Sequence, residues 1–209
     1  MLYGIINFSL FLISSLFLVI LPGPDFVYVI TQGVDQGRRA GVLAALGISF
    51  GLLIHTLLAA FGLSAIVHTS RTVYLILKYL GAIYLLYIGL RMLLKKTVKN
   101  HEVVSIDKKK RATFAQGILI NIFNPKAIVT FMAFLPQFIH IKITHPTRQF
   151  LFLGWSLTLI AASWYLLMGY FSGVVGLRIK NNRTVQKGIR YFSGSIITAL
   201  GLKLMANKD

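Results

Sequence analysis

Six long apolar runs separated by short polar segments organise this chain, at residues 4–30, 40–67, 72–94, 113–139, 149–176 and 185–206. Each is long enough to cross a bilayer, since a helix rising 1.5 Å per residue covers the hydrocarbon core in about 20 residues. Charges are nearly absent inside the runs apart from their ends, with two exceptions, Asp25 and Lys126. Backbone groups in lipid must be satisfied internally, so only helices or a closed barrel can span it. Barrel strands alternate apolar and polar positions, and stretches such as Val42–Leu46 and Ile83–Leu86 do not. The pattern predicts an all-α membrane protein with six transmembrane helices. The first basic residue is Arg38, and Met1–Leu21 runs apolar into Pro22-Gly23-Pro24. A cleaved leader opens with positive charge and closes on small residues, so the first run is expected to stay as a span.

The first and fourth spans should be broken. Pro22 and Pro24 remove two backbone donors and crowd the preceding turn, and Pro125 drives Asn124 out of helical geometry. The longest polar segment, Lys95–Arg111, reads as a basic loop joining two halves. The single transport domain 1–209 then divides into a three-helix unit over 1–94, a loop over 95–112 and a second three-helix unit over 113–209. An odd number of spans per half makes the second half antiparallel to the first. A shift of 101 residues aligns Pro24 with Pro125 and Asp25 with Lys126. A shift of 112 aligns Lys78-Tyr79 with Arg190-Tyr191 and Gly89-Leu90-Arg91 with Gly201-Leu202-Lys203. Inverted repeats with interrupted helices in corresponding places point to a secondary transporter.

Composition agrees with the pattern. The chain is 56% apolar and 13% charged, against about 45–50% and 25% in soluble domains, and its mean hydropathy of +0.74 excludes an ordinary soluble enzyme. The net charge of +17 would suggest nucleic acid on a soluble protein. Here the basic residues sit in clusters between apolar runs, which is a topology signal and not a phosphate-binding one. Fifteen fall on one side, including Arg38, Arg39, Arg91 and the 95–111 cluster; six fall on the other, and Lys126 is the remaining one. The positive-inside rule puts the heavy side in the cytoplasm and both termini outside. The basic loop also suits anionic lipid head groups, and Tyr74 and Tyr191 suit interfacial belts.

Asp25 and Lys126 are the candidate chemistry. A charge at a helix centre in lipid costs about 2.5–3.5 kcal/mol, so it is retained where it faces a cavity or a partner. Each follows a proline break, in opposite halves, with opposite sign. The expectation is that both side chains approach one mid-membrane cavity, Lys126 toward a substrate carboxylate and Asp25 toward an ammonium or a coupling proton. Between turnovers they would neutralise each other. His55, in the second span, has the chemistry of a proton relay or of a hydrogen-bonded packing residue. Glycines four apart (Gly33, Gly37 and Gly41; Gly47 and Gly51; Gly169 and Gly173) make smooth faces for close helix approach and permit a homodimer. Cysteine is absent, and no carboxylate pair, metal cluster, nucleophile elbow or phosphate loop is present. No enzyme activity, metal or cofactor is expected.

Several motifs resemble one family. Pro22-Gly23-Pro24, followed by Gly33, Gly37, Gly41, Gly47 and Gly51, resembles the first signature of the LysE/RhtB amino-acid exporters. Lys78-Tyr79-Leu80-Gly81-Ala82-Ile83-Tyr84-Leu85-Leu86-Tyr87-Ile88-Gly89 is similar to their third-span signature. Asn121, Asn124-Pro125-Lys126-Ala127 and Leu135-Pro136-Gln137-Phe138 are similar to the fourth. The resemblance implies a multi-pass exporter of amino acids in the bacterial inner membrane, driven by the proton gradient, without a cofactor and without nucleic-acid partners. Pro22, Gly23, Pro24, Asn124, Pro125 and Lys126 carry over as motif positions, and Asp25 follows the first motif in only some members. A broken helix offers N–H groups to a carboxylate and carbonyls to an ammonium, and one acid with one base suits a neutral amino acid. The alternatives are a passive channel and a membrane protein without transport.

Overall fold

A computed structural model describes residues 5–65, 71–94, 110–139 and 146–173, with scattered helical positions between 184 and 202. Helix α1, Phe8–Ile20, ends where Pro22 and Pro24 interrupt the chain, and α2, Pro24–Gln36, starts with Pro24 in its first turn. That position suits proline, whose missing N–H is unpaired there anyway. Gly37 separates α2 from α3 at φ +87°, a backbone conformation that favours glycine. Helix α3, Arg38–Leu58, runs on through a π turn at Ala59–Leu63. Helix α4 spans Arg71–Leu94, and α5 spans Lys110–Ile122. Helix α6, Pro125–Val129, continues through a π turn at Thr130–Phe134 and a 3₁₀ turn at Leu135–Phe138. Helix α7 covers Pro146–Tyr170.

Among the described residues the fold is helical throughout, apart from one bridge between Ile5 and Ile139. Helices α3 and α7 are each long and apolar enough to cross a membrane. So are the two broken pairs, if each pair is one span: α1 with α2 bends by 52°, and α5 with α6 and its following turns bends by 50°. Both expected breaks are therefore present, at the expected prolines. Helix α2 outruns the apolar run that predicted it by six residues, because Thr31–Gln36 continue the helix with polar side chains. Helix α4 covers the third apolar run, 72–94, as one helix. Most of the sixth predicted span, the loop from 95 to 109 and residues 1–4 lie outside the described residues.

The packing is inside-out relative to a soluble protein. Phe123, Phe61 and Leu159 are 75%, 66% and 61% exposed, whereas Gln149 and Asn121 are fully buried. Large apolar side chains on the outside cost nothing when the surrounding solvent is lipid. Helix α3 runs through the centre against α2, α5 and α7. Small residues let these backbones meet: a Cβ on Gly41 would lie 2.5 Å from Gly169 O, and one on Gly117 would lie 2.9 Å from Ala44 O. Gly33 and Gly47 are equally enclosed. Gly33, Gly41, Gly47, Gly51 and Gly169 are thus taken up in helix contacts within the chain. Gly37 and Gly173 have open space beside them and pack against nothing. The rings of Phe11, Phe134 and Phe138, 4.9–5.6 Å apart, tie α1 to the turns that follow α6.

Candidate functional site

The two breaks meet, and the polar side chains converge there. Asp25, in the first turn of α2, is 4% exposed. Its Oδ2 accepts a 2.9 Å hydrogen bond from Asn121 Nδ2, near the end of α5. Gly51 on α3 makes room for this, since a Cβ there would lie 2.7 Å from Asn121 Oδ1 and 2.8 Å from Asn121 Cβ. The backbone carbonyl of Asn121 lies 3.2 Å from His55 Nε2. A carbonyl can only accept, so the His55 proton sits on Nε2. The His55 ring stacks on Phe131, with centroids 5.4 Å apart.

The second break is built differently. Asn124 caps α6, its Oδ1 accepting from Lys126 N at 3.0 Å. The Lys126 side chain crosses to the first break, where its Cδ would lie 3.3 Å from a Cβ on Gly23. Its Nζ donates to Leu21 O at 2.8 Å. Leu21 caps the C-terminal end of α1, where free carbonyls and the helix dipole favour a cation. The expected mutual neutralisation of Asp25 and Lys126 therefore takes another form. The ammonium is held by the end of α1 and not by the carboxylate.

Three buried polar atoms at this junction make no hydrogen bond of good geometry: Asp25 Oδ1, Asn121 Oδ1 and Asn124 Nδ2, the Asn124 amide lying near the Asp25 carboxylate without a well-formed bond to it. The amide orientations follow from the network, because a carboxylate cannot donate to Asn121 and a backbone N–H cannot accept from Asn124. Buried unsatisfied atoms cost about 1–3 kcal/mol each. Two acceptors and one donor are thus left together at the meeting of two helix breaks. Gly23 supplies no side chain to cap α2, so the first-turn N–H groups of that helix add further donors.

All nine residues singled out in the sequence belong to this junction. Pro22, Gly23, Pro24 and Pro125 shape the two breaks; Asp25, Asn121, Asn124, Lys126 and His55 form the polar network. Tyr165 of α7, Thr130 and Phe131 carry no such mark in the sequence, and Gly51 stands there as part of a packing face. Tyr165 is buried, and Thr130 Oγ1 donates to Lys126 O at 2.7 Å. Their signal in sequence is faint: a polar residue one turn after Lys126, and a tyrosine inside an apolar run. No group of three metal-ligating side chains occurs among the described residues.

The family model of the LysE type translocator matches residues 16–208. The chain belongs to the LysE type translocator family. It is similar to a leucine efflux protein of Enterobacter sp. (strain 638), 30% identical over 187 residues covering 88% of each chain. A leucine efflux protein of Salmonella choleraesuis (strain SC-B67) is 32% identical over 173 residues, covering 81% of this chain and 82% of its own. An uncharacterized membrane protein of Bacillus subtilis (strain 168), YrhP, is 31% identical over 195 residues, covering 89% of this chain and 92% of its own. No solved structure matches. As a LysE type translocator the chain is an integral membrane protein and a transporter, not an enzyme.

Proposed function

We propose that this chain is a secondary transporter that exports a neutral amino acid from the cytoplasm across the bacterial inner membrane, driven by the proton gradient. The observation that carries this reading is the set of unsatisfied atoms where the two broken helices meet. An ammonium needs acceptors, which Asp25 Oδ1 and Asn121 Oδ1 supply. A carboxylate needs donors, which Asn124 Nδ2 and the N-terminus of α2 supply. One acid and one base already balance at the site, so a zwitterion adds no net charge, whereas a second ammonium would enter unpaired. The leucine efflux proteins among its relatives support an aliphatic amino acid of this class.

Transport follows by alternating access. The two broken pairs bend by similar angles, 52° and 50°. This likeness supports two inverted three-helix repeats, 1–94 and 113–209, rocking about the Asp25–Lys126 junction in a six-span, multi-pass protein. Asp25 carries the coupling proton or the substrate ammonium in turn, and Lys126 moves between Leu21 O and the substrate carboxylate. His55, held on the Asn121 carbonyl, positions Asn121 against Asp25. The basic 95–112 loop faces anionic lipid at the cytoplasmic surface.

The test is growth on a toxic leucine analogue. Cells overproducing the protein should tolerate more of it than controls, and an uncoupler should remove the advantage. Protection that survives full collapse of the gradient would instead favour a passive channel. Unchanged sensitivity in cells that contain the protein would favour a membrane protein without transport.

A further inference from the structure

Along α2, Asp25, Tyr28, Gln32 and Gln36 follow one another at intervals of three, four and four residues. On a helix these intervals place all four within an arc of about 80°. The first two show where that arc points, which is toward α5. Asp25 receives Asn121 Nδ2, and Tyr28 Oη donates to Thr113 O at 2.7 Å with Gln116 Oε1 at 3.3 Å. Further along, Gln36 Nε2 donates to Gln32 Oε1 at 2.7 Å. Exposure rises along the row, from 4% at Asp25 through 5% at Tyr28 and 8% at Gln32 to a half-buried Gln36. The remaining buried positions of α2, Phe26, Val29, Ile30 and Gly33, are apolar or small. The polar row thus joins the mid-depth carboxylate to the end of α2 beside Arg38.

Polar side chains in a membrane-spanning helix are retained when they face a protein partner or an aqueous path. We propose that the α2–α5 seam is the route by which a neutral amino acid reaches Asp25 from the Arg38 side, and that the Tyr28–Thr113 hydrogen bond latches it shut in this conformation. The proposal rests on the transport reading above. Glutamine amides both donate and accept, so they can pass a zwitterion along without a fixed charge that would trap it. Tyr28 stands between the glutamines and Asp25, with its hydroxyl on a carbonyl in the first turn of α5. Releasing that contact frees α2 from α5 between the glutamines and Asp25.

Because the chain has no cysteine, each introduced thiol is the only one present. Gln32→Cys and Gln116→Cys test the seam; Leu46→Cys and Leu119→Cys, 42% and 54% exposed toward lipid, are the controls. Each is made with Tyr28 intact and with Tyr28→Phe, then treated in inside-out vesicles with a membrane-impermeant methanethiosulfonate. The seam thiols should react and the controls should not. Tyr28→Phe should raise the seam rate roughly fivefold, the factor that one net hydrogen bond supplies, and added leucine should slow it. Seam thiols as inert as the controls in both backgrounds would overturn the proposal and leave the row as interhelical packing. Labelling that no amino acid slows would uphold the route while counting against the amino-acid reading, so the two failures are separable.

Discussion

Replacing Gly51 by alanine tests whether the Asn121–Asp25 contact is central to transport. The added Cβ would lie 2.7 Å from Asn121 Oδ1, 2.8 Å from its Cβ and 3.0 Å from its Cγ. A flexible tip could swing aside, but Asn121 Cβ is fixed to the α5 backbone. Either α3 and α5 must separate, or the Asn121 amide must leave Asp25. Overpacking costs about 1–3 kcal/mol, and a hydrogen bond to a charged group is worth about 1.5–3 kcal/mol. Helix propensity opposes these by about 1 kcal/mol in favour of alanine. Whichever occurs, the net loss is about 0.5–2 kcal/mol, which corresponds to a fall in leucine efflux of roughly 2- to 30-fold. The matching control is Gly62→Ala, since nothing lies within 4 Å of a Cβ there; its efflux should stay within about twofold of the parent. Both variants are compared for membrane abundance, for thermal stability in detergent and for efflux of labelled leucine. Parental efflux and stability in Gly51→Ala would refute the contact as drawn.

Three further outcomes follow from the same geometry. Lys126→Met keeps an unbranched stem over Gly23 but leaves Leu21 O without its ammonium; it should insert normally and lose at least about tenfold in efflux, a loss on the scale of one charged hydrogen bond. A reporter active only in the cytoplasm should give signal when fused after Asn100 and none when fused at Asp209, and the reverse pattern would overturn the orientation drawn from the basic residues. Phe123→Asp places a charge on the side chain most exposed beside the second break and should reduce membrane insertion, by about 2.5–3.5 kcal/mol if it lies at mid-depth; undiminished abundance would place Phe123 against water and not lipid.

Much of this arrangement was legible in the chain itself. Long apolar runs report bilayer crossing, and prolines report where a helix must stop, so the sequence alone locates the breaks at Pro22–Pro24 and Asn124-Pro125. The charges beside them announced the site because lipid makes an unpartnered charge costly. What could not be read was the rotation of each helix about its axis. A membrane helix shows lipid an apolar face and its neighbours another, so α1, α3 and α7 carry little periodic contrast to set their phase. That phase decides that Gly51 faces Asn121 and that the Asp25–Gln36 row of α2 turns toward α5. The destination of Lys126 was hidden for a related reason. Its partner is a backbone carbonyl at Leu21, freed by the geometry of the first break, and carbonyls have no letter in a sequence. The end of α2 was misjudged because Thr31–Gln36 look like a loop by polarity, yet they continue the helix with Gln32 turned inward.

The central claim is that a neutral amino acid moves through the Asp25–Lys126 junction at the expense of a proton gradient. Its most direct test is uptake of labelled leucine into inside-out vesicles containing the purified protein, with the gradient imposed and then collapsed, for the parent and for Asp25→Asn. Asp25→Asn conserves shape and removes the charge. The account predicts gradient-dependent accumulation by the parent, loss of accumulation on collapse, and none by Asp25→Asn at equal protein content. Equal accumulation by the parent and Asp25→Asn would contradict it.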